Sequence, residues 1–132
     1  MTNFQFTKDK PMKLLIVDDS PVVRARLIVM LQDLDHITIV GQAGSVEEAQ
    51  TTFRRATPDV VVLDIRMPGG SGIDVLKMIK AHRPETKVIM LTNYPYAQYQ
   101  EKCKAEGADY FFDKSVEFEK VVELVRSMEL TA

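Results

Sequence analysis

Apolar residues along the chain follow two alternating patterns. Short apolar runs typical of strands occur at 13–17, 37–40, 60–63, 87–91 and 110–112, and the run at 60–63 is typical of a strand buried on both faces. Between these runs, apolar residues recur every three or four positions, as they do on helices that pack one face against a core. Five strands alternating with five helices predict a parallel α/β sheet with helices on both faces.

Capping residues mark the ends of several predicted helices. Ser20 and Pro21 place an N-cap residue and a first-position proline at the start of the first helix. Ser45 and Glu48 have the spacing of a capping box, which predicts the start of the second helix. Gly107 is suited to the position just after a helix and predicts the end of the fourth.

Three segments lie outside the regular pattern. Residues 1–12 are polar apart from a few apolar side chains and are expected to form a loose N-terminal arm. Residues 13–128 contain all the predicted strands and helices, and residues 129–132 form a short tail. Glycines bound residues 41–44, so a loop is expected there, directly after the second strand.

Composition narrows the class of protein. The 132 residues are 45% hydrophobic and 27% charged, which suits one globular domain. A net charge of -2 provides no basic field, so direct nucleic-acid binding is not expected. Cys103 is the single cysteine and cannot form an internal disulfide. Neither a signal peptide nor a membrane-spanning run is recognisable, so a cytoplasmic location without membrane association is expected.

Polar side chains follow four of the predicted strands. Asp18 and Asp19 come after the first, Asp64 after the third, Thr92 after the fourth and Lys114 after the fifth. The carboxyl ends of parallel strands form one edge of the sheet, so these residues should converge. Three neighbouring carboxylates repel one another and favour a bound cation, and oxygen-only ligands favour Mg²⁺. The lysine adds a positive charge suited to an anion such as phosphate.

These residues, in this order, resemble the receiver domain of bacterial two-component response regulators. Met67-Pro68 after the central strand and the glycine at 107 ahead of the lysine belong to the same pattern, which covers about residues 13–126. The resemblance implies a flavodoxin-like, doubly wound (βα)5 fold and a phosphorelay role in signal transduction. It also implies a protein that catalyses only its own phosphoryl transfer and dephosphorylation.

The resemblance assigns roles to the residues at the strand ends. Asp64 would accept a phosphoryl group from a sensor histidine kinase or a histidine phosphotransfer protein. Asp18, Asp19, Asp64 and the backbone carbonyl of Arg66 would hold Mg²⁺, and Lys114 would pair with a phosphoryl oxygen. The downstream protein partner and the oligomeric state are left open.

Two further residues would transmit the signal. After phosphorylation, the hydroxyl of Thr92 would swing towards the phosphoryl group. Phe111 would then turn inward to fill the vacated space. This pair of movements would alter the face formed by the fourth and fifth helices and the fifth strand.

The chain departs from the family pattern at three positions. Ser115 follows the lysine where many receivers have a cis proline, so either a trans bond with a rearranged loop or a strained bond is expected. Phe111 stands where tyrosine is frequent, so it could pack but not hydrogen-bond. Arg66 and Tyr94 are bulky, and we hypothesise that they slow hydrolysis of the phosphorylated aspartate by impeding an in-line water.

Two alternative functions remain. An aspartate-nucleophile phosphatase on a similar sheet would carry a second aspartate two positions after the first, but Arg66 stands there. A degenerate receiver would bind partners without being phosphorylated, although the complete acid cluster argues against it. Because only 129–132 follow the last helix, we expect either a protein that acts alone or a piece of a longer chain.

Overall fold

Five parallel strands form a single sheet in the computed structural model, which describes residues 3–4, 6–128 and 130–131. The strands are β1 (Met12–Val17), β2 (Ile37–Ala43), β3 (Val60–Leu63), β4 (Lys87–Thr92) and β5 (Tyr110–Asp113). They lie in the order β2-β1-β3-β4-β5 and pair in parallel throughout. The predicted doubly wound sheet is therefore confirmed.

Five helices cover the two faces of the sheet. They are α1 (Pro21–Leu31), α2 (Val46–Ala56), α3 (Gly72–His82), α4 (Ala97–Ala105) and α5 (Phe118–Ser127). Side chains of α1 and α5 share one buried cluster with alternate strand residues, and side chains of α2, α3 and α4 share the other. This division follows from the strand period of two, because neighbouring strand residues point to opposite faces. Among the described residues, no helix is both long and apolar enough to cross a membrane.

The predicted helix caps are present. The Ser20 hydroxyl accepts a hydrogen bond from the Val23 backbone N–H at 3.2 Å. The Ser45 hydroxyl accepts one from the Glu48 N–H, also at 3.2 Å. Gly107 has a φ of 99°, a backbone conformation that glycine adopts without strain, and it ends the turn after α4. These signals predicted the helix boundaries because each depends only on neighbouring residues.

The loop predicted at 41–44 is wrong, because β2 continues through Ala43. A Cβ placed on Gly41 would lie 2.8 Å from Cγ2 of Thr52 on α2. The glycine therefore allows a helix to pack closely on the strand rather than providing a turn. The same glycine signal accompanies both situations, which explains the error.

The described part of the N-terminal segment includes a short strand outside the main sheet. The backbone of Asn3–Phe4 pairs in an antiparallel arrangement with Leu130–Thr131. Phe6 packs against the cluster formed with α1 and α5, and Met12 already belongs to β1. The two ends of the described chain are thus paired with each other.

Candidate functional site

The carboxyl ends of β1, β3 and β5 place three charged residues together. Val17 and Leu63 are register partners in adjacent strands, so Asp18 and Asp64 leave the sheet at the same level. The last pair between β4 and β5 is Thr92 with Asp113, and Lys114 follows directly. The convergence predicted from strand ends is therefore present in the structure.

Lys114 connects the two buried aspartates. Its Nζ atom lies 2.7 Å from Oδ2 of Asp18 and 2.9 Å from Oδ2 of Asp64. Asp18 is 3% exposed and Asp64 5% exposed, so these ion pairs form largely out of contact with water. One ammonium group thus partly neutralises two carboxylates that would otherwise repel each other.

Backbone N–H groups bind the other oxygen of each aspartate. Oδ1 of Asp18 accepts a hydrogen bond from Ser20 N at 2.9 Å, and Oδ1 of Asp64 accepts one from Ile65 N at 2.7 Å. Gly72 permits the backbone to pass close to this point, because a Cβ there would overlap the carbonyl oxygen of Asp64. Both carboxylates are therefore held in fixed orientations by the backbone of the following loop.

Burial and pairing shift the pKa values at the site. Burial raises the pKa of Asp18 above its ordinary value, and the hydrogen bonds from Lys114 and Ser20 only partly oppose this. For Lys114, burial lowers the pKa, but the hydrogen bonds to Asp18 and Asp64 outweigh it and leave the pKa raised. Lys114 is therefore a stable positive charge at neutral pH.

The acid cluster also has the donors of a cation site. Asp18, Asp19 and Asp64 each offer a carboxylate oxygen, and these oxygens lie within 4.8 Å of one another. Asp19 is exposed, which leaves the cluster open to solvent on one side. Counted formally, three carboxylates and one ammonium group give the cluster a charge of -2. Oxygen-only donors with this excess charge fit a hard divalent cation such as Mg²⁺.

Thr92 is wholly buried and links the cluster to the next loop. Its Oγ1 accepts a hydrogen bond from Tyr94 N at 3.0 Å. Its backbone carbonyl accepts one from Lys114 N at 2.8 Å. Thr92 therefore contacts both the lysine segment and the β4–α4 loop, although no hydrogen bond joins its hydroxyl directly to the acids.

Phe111 lies apart from the acid cluster. It is partly buried against the core cluster shared by α2, α3 and α4. It also lines an open groove of about 390 Å³ between α4 and β5, together with Gln100 and Lys104. The Phe111 side chain therefore borders open space on the α4 side of the sheet.

Arg66 and Tyr94, both named from the sequence, are in contact. The guanidinium carbon of Arg66 lies 4.1 Å from the centre of the Tyr94 ring, the geometry of a cation–π interaction. A hydrogen bond to Tyr99, more than any other contact, raises the pKa of Arg66. The aromatic series continues with Tyr96, whose ring centre lies 6.4 Å from that of Tyr94 and 5.8 Å from that of Tyr99.

Sequence reasoning missed Arg24. Its Nη1 donates a hydrogen bond to the backbone carbonyl of Asp18 at 2.7 Å, and its Nε donates one to Oε1 of Gln42 at 2.8 Å. The arginine thus ties the loop after β1 to β2. Arg24 lies one turn into α1, shortly after Asp18 and Asp19, and this position could have indicated a contact with the loop after β1.

The bond between Lys114 and Ser115 is trans, since no cis peptide occurs among the described residues. Of the two expected geometries for this departure from the family pattern, the trans bond is therefore the one observed.

Comparison with known proteins identifies the family. Residues 14–126 match the response regulator receiver domain, which is most of the chain. The chain belongs to this family, as the resemblance implied. The pocket of Asp18, Asp19 and Asp64 is accordingly the acid pocket of a receiver domain, the kind of site at which a phosphorylatable aspartate switch operates. A receiver is a signalling domain rather than an enzyme with a separate substrate.

Two relatives illustrate the sequence similarity. The response regulator GacA of Pseudomonas syringae pv. syringae is 35% identical over 115 residues, covering 86% of this chain and 53% of the relative. The DNA-binding transcriptional activator DevR/DosR of Mycobacterium tuberculosis is 34% identical over 117 residues, covering 89% and 52% respectively. The chain therefore spans about half the length of the curated relatives it matches.

Solved structures show the same fold. CheY of Borrelia burgdorferi, in a CheX-CheY-BeF3-Mg complex, has a TM-score of 0.80 and 31% identity, covering 89% of this chain and 88% of the other. The response regulator domain of Thermotoga maritima CheB has a TM-score of 0.78 and 29% identity, covering 88% and 94%.

Proposed function

We propose that the chain is a phosphorylation-dependent signalling switch in which Asp64 accepts a phosphoryl group from a histidine. The donor would be a sensor histidine kinase or a histidine phosphotransfer protein. The observation that carries the proposal is the buried contact of the Lys114 ammonium group with both Asp18 and Asp64, at 2.7 and 2.9 Å. This arrangement holds a positive charge beside the oxygen that would receive the phosphoryl group.

The transfer follows from the environment of Asp64. A carboxylate oxygen forms the new P–O bond while the P–N bond of the donor breaks, and the imidazole nitrogen keeps the electron pair. The Ile65 N–H, at 2.7 Å from Oδ1, fixes the orientation of the carboxylate during this exchange. Lys114 can then pair with a phosphoryl oxygen, because its ammonium group already lies beside Asp64.

Asp18, Asp19, Asp64 and the backbone carbonyl of Arg66 would hold Mg²⁺. When bound, the ion supplies positive charge to the phosphoryl oxygens. The formal charge of -2 on the cluster and its oxygen-only donors support this assignment. The CheY complex of Borrelia burgdorferi, a relative of the same fold, contains Mg²⁺ with BeF3.

The switch would act through Thr92 and Phe111. The Thr92 hydroxyl would give up its hydrogen bond from Tyr94 N and turn towards the phosphoryl group. Phe111, beside the groove between α4 and β5, would move inward and reshape the surface formed by α4, β5 and α5. A downstream protein would recognise the changed surface.

We also propose a cytoplasmic location and, from the net charge of -2, no direct nucleic-acid contact by this domain.

The decisive experiment uses small phosphoryl donors. The protein is incubated with acetyl phosphate and Mg²⁺, and separately with a phosphorylated histidine phosphotransfer protein, and intact mass is measured. We expect one acid-stable, base-labile phosphoryl group in the wild type and none in Asp64→Asn. Asp33→Asn serves as the matched control, because Asp33 is exposed and distant in sequence from the site.

The alternatives give different results in the same experiment. Turnover of a generic phosphomonoester such as p-nitrophenyl phosphate would indicate a phosphatase. A failure to bind BeF3 in the presence of Mg²⁺, together with no phosphorylation, would indicate a degenerate receiver. Either result would contradict the proposed switch.

A further inference from the structure

The connection between β5 and α5 closes on itself through side-chain hydrogen bonds. Oδ1 of Asp113 accepts one from Ser115 N at 2.9 Å and another from the Ser115 hydroxyl at 2.7 Å. In return, Oε1 of Glu117 accepts one from Asp113 N at 3.0 Å. The Asp113 carbonyl also accepts a hydrogen bond from Glu117 N at 2.8 Å. We call Asp113, Ser115 and Glu117 the polar clasp.

The position of β5 explains why Glu117 is needed. In the part of the chain that the structure describes, β5 is an edge strand paired only with β4, and Lys114 N donates a hydrogen bond to Thr92 O on that side. The N–H of the preceding residue, Asp113, must then point away from the sheet, where no strand can accept it. The Glu117 carboxylate supplies the missing acceptor and brings the start of α5 against the end of β5.

Lys114 lies between the two halves of the clasp. Its N–H is held by Thr92 O, and the next residue, Ser115, is held by Asp113 through two hydrogen bonds. The backbone on both sides of Lys114 is therefore fixed, which limits the directions that its long side chain can take. The same Ser115 contacts lower the pKa of Asp113, so this carboxylate is ionised at neutral pH.

We propose that Asp113, Ser115 and Glu117 are positioning residues that aim Lys114 at the phosphoryl site. In this chain they replace the rigid proline that many receivers have after the lysine. The proposal depends on the proposed function only in assigning Lys114 to the phosphoryl group.

Alanine and conservative variants test the clasp. Asp113→Ala and Glu117→Ala each remove an acceptor, whereas Asp113→Asn and Glu117→Gln keep an acceptor oxygen in place. Glu123→Ala is the matched control, since it removes one exposed carboxylate from α5. Initial rates of phosphorylation are measured over a range of acetyl phosphate concentrations with saturating Mg²⁺.

We expect each alanine variant to lower the maximal rate about fivefold, the change in population expected from one lost hydrogen bond, with little change in half-saturation. The maximal rates of Asp113→Asn and Glu117→Gln should stay within about twofold of the wild type, because an acceptor oxygen remains in place. The rate of Glu123→Ala should stay in the same range, because Glu123 is not part of the clasp. Wild-type rates in both alanine variants would overturn the proposal. So would equal losses in alanine and conservative variants.

A second measurement does not require phosphorylation. In lysine-labelled, unphosphorylated protein, the ammonium resonance of Lys114, assigned by its loss in Lys114→Met, reports whether the group is held by its two carboxylates. We expect a sharp signal in the wild type and a broadened one in the alanine variants; an unchanged signal would overturn the proposal. If the wild type accepted no phosphoryl group, the proposed function would fail while this measurement still tested the clasp.

The folding of each variant is checked separately. Circular dichroism and thermal unfolding are recorded for every variant. Should an alanine variant fail to fold, Ser115→Ala replaces it, because it removes only the hydroxyl bond and keeps the backbone one. A lower rate in Ser115→Ala supports the clasp, and an unchanged rate and ammonium signal contradict it.

Discussion

Two aspartate–lysine clusters lie at opposite ends of the sheet. At the carboxyl ends of the strands, Lys114 bridges Asp18 and Asp64. At the amino ends, Asp109 accepts hydrogen bonds from Lys80 Nζ and Val88 N, both at 2.9 Å. The residue types are the same, but the balance of charge differs between the two ends.

The amino-end cluster is internally satisfied. Lys80 Nζ also donates to the backbone carbonyls of Thr86 and Pro84, at 2.6 and 3.3 Å, and Lys87 Nζ lies 3.7 Å from Asp109. One carboxylate thus faces two ammonium groups, and one of these also donates to two backbone carbonyls, so no acid is in excess. The carboxyl-end cluster has three acids and one base, and its excess negative charge favours a bound cation. The comparison separates an ion pair that stabilises the fold from one that can perform chemistry.

Replacing each lysine by methionine should distinguish the roles of the two clusters most clearly. Lys114→Met should lower the rate of phosphorylation by acetyl phosphate about a hundredfold, the usual effect of losing one group that stabilises developing charge. Lys80→Met should leave this rate within roughly twofold, because the two clusters share no partner. It should instead lower the free energy of unfolding by about 1–3 kcal/mol, since a carboxylate and two carbonyls lose their donor. Phosphorylation kinetics and urea denaturation are measured for both variants.

The reverse pattern would contradict this interpretation. If Lys80→Met reduced phosphorylation as strongly as Lys114→Met, the amino-end cluster could not be called purely structural. Glu123→Ala, an exposed change on α5, serves as a control for effects of altered net charge.

Cys103 provides a buried titratable group without any charged partner, in contrast with Lys114. Burial raises the pKa of its thiol from 9.0 to about 11. Above pH 9 the unfolded chain loses this proton while the folded chain keeps it, so the free energy of unfolding must fall as pH rises from 9 towards 11. The loss approaches about 2–3 kcal/mol at the upper end of this range.

Urea denaturation of the wild type and Cys103→Ala at pH 7, 9 and 10.5 tests this expectation. The variant lacks the thiol, so the stability difference between the two proteins should shrink as pH rises. Other alkaline titrations, including that of Lys114, affect both proteins and cancel in the difference. Parallel pH curves for the two proteins would contradict a raised thiol pKa.

The parts of the site that could be predicted are those that depend on strand topology. Asp18, Asp64 and Lys114 were expected to meet because each follows a predicted strand, and parallel strands share one carboxyl edge. Gly41 was misinterpreted because a glycine in a turn and a glycine under a helix look alike in sequence. The polar clasp was missed because it depends on the loop conformation, which short-range patterns do not specify.

The contact between Arg66 and Tyr94 lies at the carboxyl-end cluster and has no counterpart in the described contacts of the amino-end cluster. Its removal should give the smallest effect of the changes considered. The guanidinium lies over the Tyr94 ring, so the two side chains are held against each other beside the loop that follows Asp64. If they impede an in-line water, Arg66→Ala with Tyr94→Ala should hydrolyse the phosphorylated aspartate about three to five times faster. This factor corresponds to the roughly 0.5–1 kcal/mol of an exposed cation–π contact.

Decay of phosphorylated protein, purified away from donor, is followed by mass spectrometry beside the exposed-site control Arg54→Ala. An unchanged lifetime in the double variant would mean that water reaches the phosphoryl group by a route that these side chains do not cover.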